Sequence, residues 1–214
     1  MPVEPLFHGQ TVACIATGPS LTREQIESAR SRGFALAGCN NVYQLADDLE
    51  VLYGCNEGWW VWYWNHGLAE HTAQKWTTNL EAARKFGLNH VNERNAPGLS
   101  TDPSIIHHGH GSGYSLLNLV SLMGAERIVL LGYDLKYAPD YDGAEQKIGS
   151  TPRHYFGEYP SALQHWPKVH VKGGIHTELL ELYESVARQA LVEIVNCSPD
   201  TALECFPRVA IDAL

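Results

Sequence analysis

The chain has 214 residues, with 15 Lys+Arg against 24 Asp+Glu and a formal charge of −9 at neutral pH, which excludes a generally basic nucleic-acid coat. It is 44% hydrophobic and 18% charged, below the usual charged share of about 25%, so it has apolar material for a core and too little charge density for disorder. Polar residues interrupt every apolar stretch well short of the ~18 residues that span a bilayer. The start MPVEPLFHGQ lacks a basic-then-apolar signal pattern, and the expectation is a cytoplasmic protein forming one domain over 1–214, without membrane contact.

Thr11 to Ala16 (TVACIA) reads as a short strand, followed by Thr17-Gly18-Pro19-Ser20 and the helically spaced LTREQIESARSRG. Thr22 with Gln25 three positions on fits a capping box, and Gly33 closes the helix. Phe34 to Gly38 and Val51 to Gly54 read as further strands, ending at Asn40-Asn41 and at Cys55-Asn56. Each apolar run is followed by small polar residues and a helix-like segment, which predicts a parallel sheet. Trp59, Trp60, Trp62 and Trp64 crowd one helical segment; a subunit contact is the first reading, ahead of core packing or a stacking platform for an acceptor. Residues 80–87 look helical, and His90 to Arg94 fits a short strand. The sharpest unit is SIIHH, GHGSG, YSLLNLVSLMGA and RIVLLGYD from Ser104 to Asp134, read as one strand–turn–helix–strand unit. Residues 135–172 lack periodicity and read as a lid or binding insertion. Ile175 to Leu191 is helical, and Val192 to Val195 is a final strand. The fold class expected is α/β, a Rossmann-like, mostly parallel sheet with helices on both faces and this lid-like insertion.

Five scattered cysteines without a CxxC pair suggest neither disulfides nor a cysteine zinc site. Cys14, Cys39 and Cys55, in or just after apolar runs, read as core.

In such a sheet ligands bind beyond the carboxyl ends of the strands, which singles out Thr17, Gly18, Pro19 and Ser20, then Asn40, Asn41 and Asn56, then Gly111, Ser112 and Gly113, then Asp134, and finally Asn196 and Ser198. The first turn matches neither a Walker loop nor GxGxxG. Its amides at a helix N-terminus suit an anion such as phosphate; equally, Gly-Pro-Ser simply shapes the turn. Gly109 to Gly113 forms a second small-residue turn that admits close backbone approach. His107, His108 and His110 invite a metal, but strand alternation puts His107 and His108 on opposite faces, so no zinc site is expected. The segment Arg153 to Pro160 (RHYFGEYP) with Tyr133, Tyr137 and Tyr141 offers stacking surface and phenolic donors. His170 and His176, flanking Lys172-Gly173-Gly174, suit a general base for a hydroxyl.

The blocks IATGPSL at 15–21, Gly38-Cys39-Asn40-Asn41-Val42-Tyr43, GSGYSLLNLVSLMGAERIVLLGYD at 111–134, HVKGGIHTELLELYES and VNCSPDTAL resemble the bacterial sialyltransferases of glycosyltransferase family 42. They are also similar to the related DUF115 proteins, which include an archaeal 6-hydroxymethylpterin diphosphokinase. The nearest likeness is to phage and prophage members carrying LYxCDxxWW, SGYxxLNLxxxLGAxRIxLLGYD and HxFGxxP; here these read LYGCNEGWW, the second motif with Met123 for the usual Leu, and HYFGEYP. The resemblance implies donor contacts from Thr17, Gly18, Ser20, Asn40, Ser112 and Gly113, with Thr17 standing where the family has Asn. It implies phosphate contacts near Lys136, Tyr137 and Tyr141, where the family has two tyrosines, and a base histidine closest to His170, with His176 as the competitor.

The function expected is transfer of a sugar from a CMP- or UDP-linked donor to an acceptor hydroxyl on a small molecule, a glycan or a modified DNA base, in the host cytoplasm if the gene is a phage's. No cofactor or metal is demanded, although Mg²⁺ is compatible, and a homo-oligomer is compatible with the tryptophan cluster. The alternatives are a Mg-ATP-dependent phosphotransferase, which would want a carboxylate pair among Asp134, Asp140 and Asp142, and a non-catalytic nucleotide-binding protein.

Overall fold

A computed structural model describes residues 2–109, 111–137, 154–157, 159–160, 163, 171–172 and 175–214. Seven strands form one sheet. In chain order they are β1 (Thr11–Ile15), β2 (Ala35–Cys39), β3 (Val51–Tyr53), β4 (Gln74–Thr77), β5 (Asn89–His90), β8 (Arg127–Leu131) and β11 (Glu193–Asn196). Their spatial order is β11-β8-β1-β2-β3-β4-β5, and every pairing is parallel. The chain therefore steps outward from β1 to β5, then returns to build β8 and β11 on the other side of β1. The direction reverses between β1 and β8, and the crevice outside a parallel sheet opens at such a reversal.

Alternation along the strands divides the core between two faces. Val12, Cys14, Ala37, Ile128 and Leu130 pack with α4 (Ser112–Leu122) and α5 (Thr177–Gln189). Ala13, Ile15, Leu36, Val129 and Leu131 pack with α1 (Arg23–Ser31), α2 (Glu57–Tyr63) and α3 (Leu80–Phe86). Helices thus cover both faces, as a buried parallel sheet requires. Seven consecutive residues of α4, Tyr114 to Val120, are buried. One side of that helix lies on the sheet, while Asn118 on another side accepts the Ser100 and His107 N–H groups at 3.0 and 2.6 Å.

The helix ends follow the expected capping chemistry. Thr22 accepts the Gln25 N–H at 3.2 Å while the Gln25 amide oxygen accepts the Thr22 N–H at 3.0 Å, a complete capping box. Two expectations are corrected. The strand expected at Ser104 to His108 forms β7 (Ile105–His107), but it pairs in parallel with β6 (Asn92–Arg94) in a separate two-stranded sheet, so it is not the partner of β8. The tryptophan segment is largely core: Trp59 and Trp60 are 2% and 0% exposed, and their indole N–H groups reach Asn41 Oδ1 and Gly54 O. Only Trp62 is substantially exposed, stacked on His66 where a π-turn, Trp64–Leu68, follows the helix. Strand β4 has no counterpart in the sequence reading, because Gln-Lys-Trp-Thr has neither an apolar run nor clean alternation. The helix expected from Ile175 begins at Thr177; Ile175–His176 forms β10, antiparallel to β9 (Val171–Lys172).

Truncation of the sheet core should be costly and that of the cap moderate. Leu131→Ala is expected to lower unfolding free energy by about 2–5 kcal/mol and Thr22→Ala by about 1 kcal/mol, while Val61→Ala, at an exposed position, stays within about 0.5 kcal/mol; urea midpoints of the three variants check this ranking.

Candidate functional site

At the reversal point the exits of β1 and β8 are clasped together. Asp134, 6% exposed, accepts the Ser20 N–H on Oδ2 at 2.7 Å and the Ser20 hydroxyl on Oδ1 at 2.5 Å. Burial pushes its carboxyl up, against the opposing effect of the Ser20 bonds. Beside it, the Gly18 N–H donates to Gly132 O at 2.9 Å. A Cβ at Gly18 would lie 2.6 Å from Asp134 Cγ, a distance that no side chain tolerates. Gly132 itself holds φ +68, in the left-handed region that favours glycine.

Of the two readings of the Gly-Pro-Ser turn, this clasp favours the one in which the turn shapes the chain over the one in which its amides meet an anion. The Gly18 N–H is given to Gly132 and the Ser20 N–H to Asp134, the Leu21 N–H bonds Gly18 O, and Pro19 has none. The following helix start is closed by its own capping box. The second turn differs: Gly111 precedes α4 without a side-chain cap among the described residues, and the first amides of this 11-residue helix lie at the same sheet edge. Uncapped helix N-termini favour negative charge.

A cavity of about 150 Å³ lies at the clasp, and its walls include Thr17, Gly18, Pro19, Gly111, Gly113, Asp134, Lys136, Tyr137 and His154. Residues distant in sequence are thereby brought together. Ser20 sits behind the cavity in the Asp134 clasp. Asn40 lies at the end of β2 with φ +50, a conformation that Asn tolerates better than most side chains. Ser112 stands 3.5 Å from Cys55 Sγ. That cysteine is exposed, unlike the buried Cys14 and Cys39, which corrects its assignment to the core. Asn56 caps α2 by accepting the Trp59 N–H at 3.2 Å.

Lys136 is ion-paired with Asp200. His176, 3% exposed, is the N-cap of α5, its Nδ1 accepting the Leu179 N–H at 3.4 Å, and its ring lies 6.5 Å from that of Tyr137. In a neutral ring so engaged, the proton sits on Nε2, which ill suits His176 to a base role. His170, Tyr141, Asp140, Asp142, His110 and most of the expected lid at 135–172 lie outside the described residues. Among the described residues no cluster of three metal-ligating side chains occurs, and no helix is long and apolar enough to cross a membrane. His107 Nδ1 bonds Gly98 O at 3.0 Å, a structural contact.

His154 is the cavity residue that the sequence candidates lacked. The RHYFGEYP block marked its segment, but nothing local ties that block to β1, 137 residues earlier.

No protein-family model matches the chain, and no curated protein matches it. Among solved structures the chain is similar to the sialyltransferase CstII from Campylobacter jejuni, in complex with the substrate analogue CMP-3FNeuAc. The identity is 14%, with 94% of this chain and 86% of that chain covered at a TM-score of 0.55. The likeness is one of fold, and it agrees with the Rossmann-like α/β architecture.

The clasp yields a signed pH dependence. Asp134 has a folded-state pKa above its unfolded value, so the folded chain binds the extra proton and this group's contribution to stability grows as pH falls through that folded pKa. Asp134→Asn removes the titration and sets an amide N–H₂ against one of the two Ser20 donors, a loss of about 1–3 kcal/mol. Urea unfolding of both proteins from pH 7 to pH 4 should show the advantage of the native chain over Asp134→Asn widening toward acid.

Proposed function

We propose that this chain is a nucleotide-sugar-dependent glycosyltransferase, moving a sugar from a CMP- or UDP-linked donor to an acceptor hydroxyl. The observation that carries the reading is the cavity at the β1/β8 reversal, where the N-terminus of α4, without a side-chain cap among the described residues, meets the close-approach glycines Gly18 and Gly113. Its volume of about 150 Å³ suits a phosphate group with its neighbouring atoms. It is well below the ~300 Å³ at which pockets for whole small molecules begin, so the ribose and base would extend along the strand ends past Asn40 and Ser112. The fold likeness to a sialyltransferase structure holding a CMP-sugar analogue supports the same donor class. The resemblance of the motif blocks to phage and prophage proteins supports, within this reading, a glycan or a modified base as acceptor and the host cytoplasm as the setting.

In this reading the acceptor oxygen attacks the anomeric carbon as the bond from that carbon to the phosphate oxygen breaks. The electron pair leaves with the phosphate, and the hydroxyl proton passes to a histidine. With His176 engaged as a helix cap, that role falls to His170. The phosphotransferase alternative would draw its carboxylate pair from Asp134, whose oxygens each accept from Ser20, and from Asp140 and Asp142, which lie outside the described residues.

Thermal melting with CMP, UDP, GDP, ADP and ATP, with and without Mg²⁺, tests the donor class. A cytidine or uridine nucleotide at 100 times its Kd should add about 2.7 kcal/mol, or about 5–10 °C at this chain length, without metal. A shift confined to ATP with Mg²⁺ would overturn the reading. Gly113→Ala, whose Cβ would sit 3.1 Å from the Tyr133 ring, should reduce the shift. For turnover, His170→Ala should slow nucleotide release from CMP- and UDP-linked sugars by about 10²-fold or more with nucleotide binding retained; unchanged turnover would remove His170 from the role.

A further inference from the structure

Resting on that reading, we infer that His154 binds the phosphate of the donor nucleotide. Two independent tethers fix its position. The Tyr155 N–H donates to Thr17 O at 2.8 Å, and His154 Nδ1 shares a hydrogen bond with Thr17 Oγ1 at 3.2 Å. Tyr155 and Tyr159 both pack against the apolar cluster on the α1 side of the sheet. The imidazole meets the Tyr159 ring edge-to-face at 5.2 Å. A ring held at the end of β1 and braced by the Tyr159 ring, in the wall of the β1/β8 cavity, is more constrained than an incidental loop histidine.

Charge decides what such a ring does there. Asp134 is the carboxylate in the cavity wall, and both of its oxygens are occupied by Ser20. The neighbouring ammonium of Lys136 is turned toward Asp200, with which it forms an ion pair. Two amides of the first turn, those of Gly18 and Ser20, are spent within the protein. A phosphate entering beside the α4 N-terminus therefore needs a further donor from another element. An imidazole supplies N–H donors and, once protonated, a positive charge, and charge-assisted bonds to phosphate oxygens are about twice as strong as neutral ones. Thr17 orients the ring through Nδ1, and Tyr159 supports it from the side.

The test compares nucleoside monophosphates with nucleosides, using calorimetric titration of the full chain with CMP, UMP, cytidine and uridine. The native chain should bind the monophosphate at least tenfold more tightly than its nucleoside. His154→Asn keeps a side-chain group able to bond Thr17 but loses the charge. It should lower monophosphate affinity tenfold or more while nucleoside affinity stays within twofold. Equal monophosphate binding by His154→Asn and the native chain would overturn the inference and leave the donor reading intact. An equal loss for nucleoside and monophosphate would overturn it in favour of a purely structural pin. Binding of none of the four by the native chain would end both. Should His154→Asn fail to melt cooperatively, Thr17→Val takes its place: it frees the ring and leaves the backbone bond to Tyr155, and a threefold or greater loss confined to the monophosphate is expected, no loss being the overturning result.

Discussion

The clasp between Asp134 and Ser20 is the constraint on which the functional edge of this protein depends. A buried carboxylate is costly unless its oxygens are hydrogen-bonded, and here both are, by the two donors of one residue. The bonds join the exits of β1 and β8, the neighbouring strands between which the chain reverses direction. Gly18 and Gly132 let the two backbones come within hydrogen-bond distance of each other. The crevice beside this contact has its floor fixed before any ligand arrives, which is the preorganisation that a phosphate site needs.

The clasp also divides labour between the two glycine-containing turns. The Gly-Pro-Ser turn spends its amides on the fold, so its function is shape. In the proposed reading the electrostatic role falls to the turn before α4, since its helix start lacks a side-chain cap among the described residues. The short block from His154 to Gly157 then hangs on Thr17 at the β1 exit and adds the one histidine that the cavity wall holds among the described residues. Backbone from β1, a helix start from the middle of the chain and a side chain from a late segment thus meet within one small space.

The sequence made much of this legible, for reasons that are local. A strand covered on both faces reads as a nearly unbroken apolar run, so β1, β2, β3, β8 and β11 can be read within a residue or two. Capping is a matter of neighbours three positions apart, so the Thr22–Gln25 box is visible in the letters. The polar residues after each strand could be named because a parallel sheet offers ligands only its carboxyl edge. β4 escaped because Gln74 is exposed and Lys75 half-buried, which leaves neither an apolar run nor a clean alternation. The pairing of β7 escaped because the same apolar run serves a large sheet or a two-stranded one equally well.

Sequence alone determined the α/β class, the order of most elements and most of the polar residues at the strand ends from which a site can be drawn, since these follow from interactions within a few residues. Only the tertiary structure decided what each polar group does: that Asp134 closes on Ser20, 114 residues away, that His176 is a helix cap, and that His154 stands against Thr17, 137 residues away. A hydrogen bond is set by distance and direction in space, and the packing of the two core faces fixes these long after the local pattern has had its say.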